Sequence, residues 1–324
     1  MVWEKNLIEL QKDFVNLRFG MFIHFNSATF QFHSNPDVVD WEFDHENQGV
    51  PRRFPFDPQS WNPVRLDCAQ WAEAGKAAGV EFAALTAKHH EGFCLWPTKY
   101  TEHCVRNSPV KTDVVREYLE AFRVQGMKAG LYFSILDLTQ GINRGGCSPE
   151  NKEYIKGQVT ELLTGYGEIP FLIVDGWQSP WGGPSYEDLS FEEFDGWVKG
   201  LQPECLVLNI GSLDGLRHSD IVFHECAAGQ RFEGGFAGPG ASCHVLTKSW
   251  FWRDGDGDKV LKPADWAIDW IKRSNSCNTS FIINGSPNTD GLLDDNMVER
   301  FRQIGEKYRK PAPLEEIPEG WAVR

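Results

Sequence analysis

Short apolar segments alternate with longer amphipathic segments along almost the whole chain, and this alternation limits the fold more than any other feature. Alternating strands and helices form a parallel sheet, and eight strands are enough to close a barrel. The sequence therefore predicts an α/β fold, a (β/α)8 TIM-like barrel in which residues 1–324 form a single domain. The eight segments expected to be strands are 20–25, 81–88, 128–136, 169–175, 205–211, 220–225, 248–252 and 279–284.

Amphipathic segments of helical length lie between most of these strands. Asp67 and Asp113 stand where helix-capping residues are expected, and Gly79 and Gly126 follow the same two segments as terminating glycines. A doubly wound open sheet is the alternative, but residues 25–28 lack its glycine-rich phosphate loop. The stretches 138–148 and 227–247 are predicted to be loops. The expected helices are 67–78, 113–125, 149–166, 191–201, 263–276 and 294–308.

The charge and the cysteines restrict the partners and the compartment. A net charge of −14 argues against nucleic acid and membrane as partners, because both are anionic. No apolar run is long enough to span a bilayer. The first residues lack the blocks of a signal peptide, which predicts a cytoplasmic protein or an exported one whose signal peptide has been removed. The eight cysteines contain no CxxC pair and are expected to be free thiols.

Polar residues close several of the predicted strands. Barrels of this type carry their active site at the carboxyl ends of the strands, so these residues are expected to converge. One histidine at such a place is most simply a core residue, but several titratable groups at matching ends indicate an active site. The residues at these ends are His24, His89, His90, the segment from Tyr132 to Asp137, Asp175, Asn209 and Glu225.

Two of these residues are carboxylates that suit the cleavage of a glycosidic bond. Asp175 follows the apolar run 171–174, where an ionised group is costly unless it is functional, and Gly176 allows close approach after it. Glu225 ends a second strand and is the expected partner. Glycosidases use such a pair, one carboxylate attacking and the other protonating the leaving oxygen. Glu233, in a predicted loop, is the rival for the second role.

A metal-dependent hydrolase is the competing class of enzyme. It needs several ligands aimed at one point, whereas His89 and His90 are adjacent and point to opposite faces of a regular strand. The run Asp254 to Asp258 lacks the glutamate that completes a calcium loop. The sequence therefore predicts neither a metal site nor a cofactor.

Several long motifs resemble those of the α-L-fucosidases of glycoside hydrolase family 29. The most specific is 85–97, LTAKHHEGFCLWP, and the resemblance extends over roughly residues 20 to 308. The other matching segments are 20–25 (GMFIHF), 56–72, 108–113, 130–134 (GLYFS) and 282–291 (IINGSPNTDG).

This resemblance implies a retaining exo-glycosidase that releases terminal α-L-fucose from fucosylated glycans by double displacement. It implies that Asp175 is the nucleophile, and it leaves Glu225 as the acid/base with Glu233 as rival. Ile173 and His224 depart from the tryptophans that the family often has there, and the appended β-sandwich of many members is not expected. The residues implied to bind the sugar are His24, His89, His90, Tyr132 and, by a weaker match, Trp41 and Glu42.

Other functions remain open at this stage. An α-L-galactosidase is one, since its sugar differs from fucose only by a hydroxyl at C6. A catalytically weak carbohydrate-binding homologue is another, although the expected nucleophile is present. The aglycone, the linkage and the oligomeric state are not encoded in any motif.

Overall fold

Eight parallel strands form one sheet that curves into a nearly closed barrel. The computed structural model describes residues 5–30, 55–179, 182–212, 215–232 and 236–321. The sheet order is β5-β4-β3-β2-β1-β8-β7-β6. The predicted α/β barrel is thus confirmed. The strands are β1 Phe19–Ile23, β2 Phe82–Lys88, β3 Lys128–Ser134, β4 Phe171–Asp175, β5 Leu206–Asn209, β6 Val222–Glu225, β7 Gly240–Val245 and β8 Thr279–Gly285.

The barrel closes between β5 and β6 without a regular ladder. A single bridge joins Ile210 to Phe223. Beside it, the Asp220 amide donates to the carbonyl of Val207, and the Asp220 carboxylate accepts from the amide of Val207, both at 2.8 Å. Lys199 pairs with the same carboxylate at 2.8 Å. A side chain therefore supplies part of the hydrogen bonding that a backbone supplies elsewhere in the wall.

Helices cover most of the barrel. The six predicted helices are confirmed to within two residues at each end, and Gly79 ends α2 in the left-handed conformation. Two connections, β5–β6 and β6–β7, contain only the short 3-10 turns Gly215–His218 and Cys226–Ala228 in their described parts. The helices are α1 Leu7–Asn16, α2 Cys68–Ala78, α3 Val114–Val124, α4 Pro149–Gly165, α5 Phe191–Leu201, α6 Ala264–Ser276 and α7 Asp295–Lys307.

The first helix, α1, was not expected from the sequence. Asn6 and Glu9 form a capping box at its start. Its Phe14 ring packs on Phe82 and Phe171, with centroids 5.1 and 5.5 Å apart. The helix therefore covers the amino-terminal end of the barrel, opposite the end where the polar strand-end residues lie.

The predicted seventh strand, 248–252, is wrong, and so is the loop predicted for all of 227–247. The strand is Gly240–Val245, and residues 248–252 form an irregular segment after it. β7 consists of small and polar residues because it packs closely: Ser242 and Ser274 hydroxyls bond at 2.9 Å, and a Cβ on Gly240 would lie 2.5 Å from the Thr279 hydroxyl. Such a strand lacks the apolar pattern by which strands are recognised.

Large aromatic side chains fill the barrel interior against glycines of the neighbouring strands. A Cβ on Gly20 would lie 2.4 Å from the ring of Phe82, and one on Gly130 would lie 2.4 Å from the ring of Phe171. Phe22 contacts other inward rings, including Tyr132, at a centroid distance of 6.1 Å. This packed interior forms the floor of the candidate site, as expected for a barrel that is a core and not a pore.

Two further expectations concern the chain as a whole. All eight cysteines are free thiols, as predicted. No helix in the described ranges has both the length and the hydropathy needed to cross a membrane.

Candidate active site

The polar residues predicted at the strand ends do converge at one end of the barrel. β4 and β6 each end in a carboxylate, Asp175 and Glu225. His24 follows β1 directly, and two histidines follow β2: the ring of His89 contacts the rings of His24 and His90. Trp41, Glu42 and Glu233 lie outside the described residues, so their predicted roles are not tested. The residues brought together are His24, His89, His90, Tyr132, Asp175 and Glu225.

Asp175 is oriented by a hydrogen bond from the neighbouring strand β3, and His90 lies close to it. The Tyr132 hydroxyl donates to its Oδ2 at 2.7 Å, and His90 Nε2 lies 3.6 Å from the same oxygen. Gly176 follows with a φ of 112°, and a Cβ there would lie 2.7 Å from the amide nitrogen of Leu136. The glycine thus allows the chain to turn sharply after the carboxylate, which stays 18% exposed at the pocket.

Glu225 has a different environment from Asp175. Burial and the nearby charge of Asp175 raise the pKa of its carboxyl to about 8, while the indole N–H of Trp250 donates to Oε1 at 3.1 Å and acts in the opposite direction. The side chain is therefore mainly protonated at neutral pH. A carboxyl group kept protonated by burial, next to a more exposed carboxylate, is a usual arrangement of an acid and a nucleophile.

His24 is a neutral imidazole whose tautomer is set by Asn284. The Asn284 amide nitrogen donates to the carbonyl of Trp250 at 2.6 Å, so its oxygen faces His24 Nδ1 at 2.7 Å and that nitrogen must carry the proton. Burial lowers the pKa of the imidazole to about 3. Its Nε2 is then an acceptor, which suits the hydroxyl of a neutral ligand.

His90 has a tautomer set in the same way. The Ser134 hydroxyl donates to the carbonyl of Leu136 at 2.7 Å, so it accepts from Nδ1–H of His90, also at 2.7 Å. Burial lowers the pKa of this imidazole, although the charge of Asp175 opposes the effect.

The expectation that His89 and His90 point to opposite faces is wrong for this chain. The register of β2 against β3 shifts between Thr86 and Lys88, and the strand ends at Lys88. Both histidines therefore lie beyond the regular strand, with ring centroids 4.3 Å apart. His89 stacks on Tyr132 at 5.4 Å with an angle of 10° between the rings. The two histidines therefore lie on the same side, next to Tyr132.

A buried ion pair lies directly behind the two histidines. The Lys88 ammonium is fully buried and bonds to Asp137 Oδ2 at 3.0 Å and to Gln158 Oε1 at 2.9 Å. Tyr154 donates to the same aspartate oxygen at 3.0 Å. These bonds connect the end of β2 to the segment after β3 and to α4. They fix the position of the backbone from which His89 and His90 extend.

Sequence reasoning missed the aromatic wall supplied by the segment after β7. Trp250 stacks on His24 at 4.9 Å, and Phe251 meets the rings of His24 and His89 edge-on at 5.3 and 5.0 Å. The sequence predicts a strand over these residues, whereas the structure has an irregular segment there. Asn284 was part of a recognised motif, but only the structure gives its role in orienting His24.

The acidic run 254–258 has a structural role at one of its aspartates. Asp256 is buried and accepts from the amide of Arg253 at 2.9 Å and from the Lys259 ammonium at 3.2 Å. Among the residues that the structure describes, no group of three or more histidine, cysteine, aspartate or glutamate side chains could hold a metal ion.

Comparison with known proteins identifies the family of this chain. The family model described as α-L-fucosidase matches residues 3–310. α-L-Fucosidase 1 of Arabidopsis thaliana is 30% identical over 89% of this chain, and a glycoside hydrolase family 29 member from an unknown rumen bacterium is 28% identical over 92% of it, with a TM-score of 0.76. This chain spans 57% of the length of the former and 56% of the latter.

A third similar protein, also known as a solved structure, shares the fold at lower sequence identity. It is an α-L-fucosidase from Bacteroides thetaiotaomicron, trapped as a covalent intermediate in complex with 2-fluoro-fucosyl fluoride. It is 21% identical, with a TM-score of 0.75, and the match covers 94% of this chain and 75% of that one. The fold is therefore shared across these proteins.

Proposed function

This chain belongs to the α-L-fucosidase family, glycoside hydrolase family 29, and on that premise we propose that it releases terminal α-L-fucose from fucosylated glycans with retention of configuration. The observation that carries the proposal is the contrast between the two strand-end carboxyl groups. Asp175 is partly exposed and accepts a tyrosine hydrogen bond, whereas burial and the charge of Asp175 raise the pKa of Glu225 to about 8. A nucleophile and a proton donor require that contrast.

The proposed reaction has two displacements. Asp175 attacks the anomeric carbon while Glu225 gives its proton to the departing glycosidic oxygen, which leaves a glycosyl ester and an ionised Glu225. Glu225 then takes a proton from water, the water attacks the anomeric carbon, and the bond to Asp175 breaks. The trapped covalent intermediate of the related Bacteroides enzyme supports this course.

The histidines suit a neutral sugar. His24 presents an unprotonated Nε2, since its Nδ1 is bound to Asn284. A neutral imidazole accepts from a sugar hydroxyl without bringing a charge that would have to be desolvated. Tyr132 and Trp250 supply the apolar faces on which sugar rings pack. We include Trp41, Glu42, His89 and His90 in the proposed sugar site.

An assay of the purified protein on aryl glycosides tests the proposal. We expect hydrolysis of the α-L-fucoside well above the rates on α-D- and β-D-glycosides, with the retained anomer as first product by NMR. A higher kcat/KM on the α-L-galactoside would transfer the function to that sugar, and an inverted first product would remove the double displacement. Binding of fucose without turnover would identify a carbohydrate-binding homologue.

A further inference from the structure

We propose that Trp250 is a positioning residue for the proton transfers, and that its indole N–H holds Oε1 of Glu225 so that Oε2 carries the proton. The indole nitrogen lies 3.1 Å from Oε1. The inference rests on the proposed function, because it assigns the working oxygen of the proposed acid/base.

The assignment follows from the chemistry of the indole. An indole N–H is a donor only, so the oxygen that it meets must present a lone pair in both protonation states of the carboxyl. In the neutral carboxyl the carbonyl oxygen is the stronger acceptor, which leaves the proton on Oε2. In the first displacement the Oε2–H bond breaks and the proton passes to the glycosidic oxygen. In the second, Oε2 takes a proton from the attacking water.

Trp250 is held in place by contacts other than the one to Glu225. Its ring stacks on the His24 imidazole, with centroids 4.9 Å apart and 28° between the planes. Its backbone carbonyl accepts from the Asn284 amide at 2.6 Å, and Asn284 accepts from His24. The indole is therefore packed together with His24, which is proposed to bind the sugar. It positions the Glu225 carboxyl relative to the bound sugar, and not only relative to β6.

The groups around the Glu225 carboxyl indicate how its pKa would change if the hydrogen bond from the Trp250 indole were lost. Burial and the charge of Asp175 raise the pKa of Glu225, whereas the indole bond lowers it because it stabilises the carboxylate. Loss of the N–H should therefore raise the pKa further. The titratable groups that face this carboxyl are Asp175 on β4, Tyr132 on β3, Cys243 on β7 and Cys226 directly after β6.

Trp250→Phe tests the proposal, since phenylalanine keeps an aromatic ring and removes the N–H. Trp252→Phe is the matched control: Trp252 lies two residues along the same segment, and its indole donates to Asp294 at 2.7 Å, away from the site. The Glu225 carboxyl is titrated by 13C NMR, with Glu225→Gln used to assign its signal. We expect the midpoint to rise by about one pH unit in Trp250→Phe and to stay in place in the control. An unchanged or lowered midpoint in Trp250→Phe would overturn the proposal.

Leaving-group dependence gives a second readout. In Trp250→Phe we expect kcat to fall roughly 10- to 100-fold on an α-L-fucoside with a poor leaving group, and far less on an activated aryl fucoside that needs little protonation. Equal losses on both substrates, or a change confined to KM, would show that Trp250 only lines the pocket and would reject the proposal. If the unmodified protein cleaves no fucoside, the proposed function fails, whereas the titration still decides whether Trp250 controls Glu225.

Discussion

The hydroxyl of Tyr132 donates a hydrogen bond of 2.7 Å to Oδ2 of Asp175, across neighbouring strands of the barrel. Burial and the charge of Asp175 raise the pKa of that phenol well above its usual range, so it remains a donor at every working pH. One oxygen of the proposed nucleophile is thereby fixed, and we assign the attack to the other, Oδ1.

Removal of that hydroxyl should slow both displacements. Tyr132→Phe leaves Asp175 less well oriented, and we expect kcat/KM to fall about 10- to 100-fold on the scale of one hydrogen bond to a charged group, measured with an aryl α-L-fucoside. Tyr166→Phe is the matched control, since the Tyr166 hydroxyl also donates to an aspartate, Asp113, at 2.8 Å, but outside the site. Equal losses in both variants would contradict the assigned role.

The two proposed catalytic carboxylates should give different kinetic signatures. Asp175→Ala should lose nearly all turnover on every substrate, because no attacking group remains. Glu225→Ala should keep the first step on an activated aryl fucoside and should be rescued by azide, a nucleophile that needs no base. If Glu233→Ala shows the azide rescue and Glu225→Ala does not, the acid/base role passes to Glu233 and the role of Asp175 is unaffected.

The activity should decline on the alkaline side as Glu225 ionises. The first step needs Glu225 protonated, and its pKa is raised to about 8, so kcat/KM should be at its plateau at neutral pH and fall as the pH rises through about 8. Measured profiles should lose this alkaline limb in Glu225→Gln, whose amide does not titrate. A limb that persists unchanged in that variant would assign it to another group.

The ion pair between Lys88 and Asp137 should contribute to stability. Lys88→Met leaves a fully buried carboxylate without its cation, and we expect the free energy of unfolding to fall by about 3–5 kcal/mol, measured by chemical denaturation. The double variant with Asp137→Asn should recover part of that loss, because no buried charge is then left unpaired. A double variant no more stable than Lys88→Met would show that the charge pair is not the cause.

The sequence predicts a feature of this protein well where a single local pattern determines it. Asp175 after an apolar run and Glu225 at the end of another are such cases, and both strand ends are where they were expected. β7 could not be predicted from a local pattern, because its residues are small where they pack against Ser274 and Thr279, which lie on elements distant in the sequence. The role of Trp250 was likewise hidden, since it depends on an irregular segment that brings the indole to Glu225.

The barrel closes between β5 and β6, and the position of this junction has a mechanical consequence. Asp175 and Glu225 end β4 and β6, and β5 lies between them. It is joined to β4 by a ladder but to β6 by one bridge and by the amide and carboxylate of Asp220. The span between the two carboxyl groups therefore crosses the stretch of the wall that has no regular ladder. We expect small openings there, of the kind that hydrogen exchange detects, to change that span without disturbing either strand end. We therefore expect the barrel to be stiffer around the strand-end histidines than between the two carboxyl groups that the proposed reaction uses.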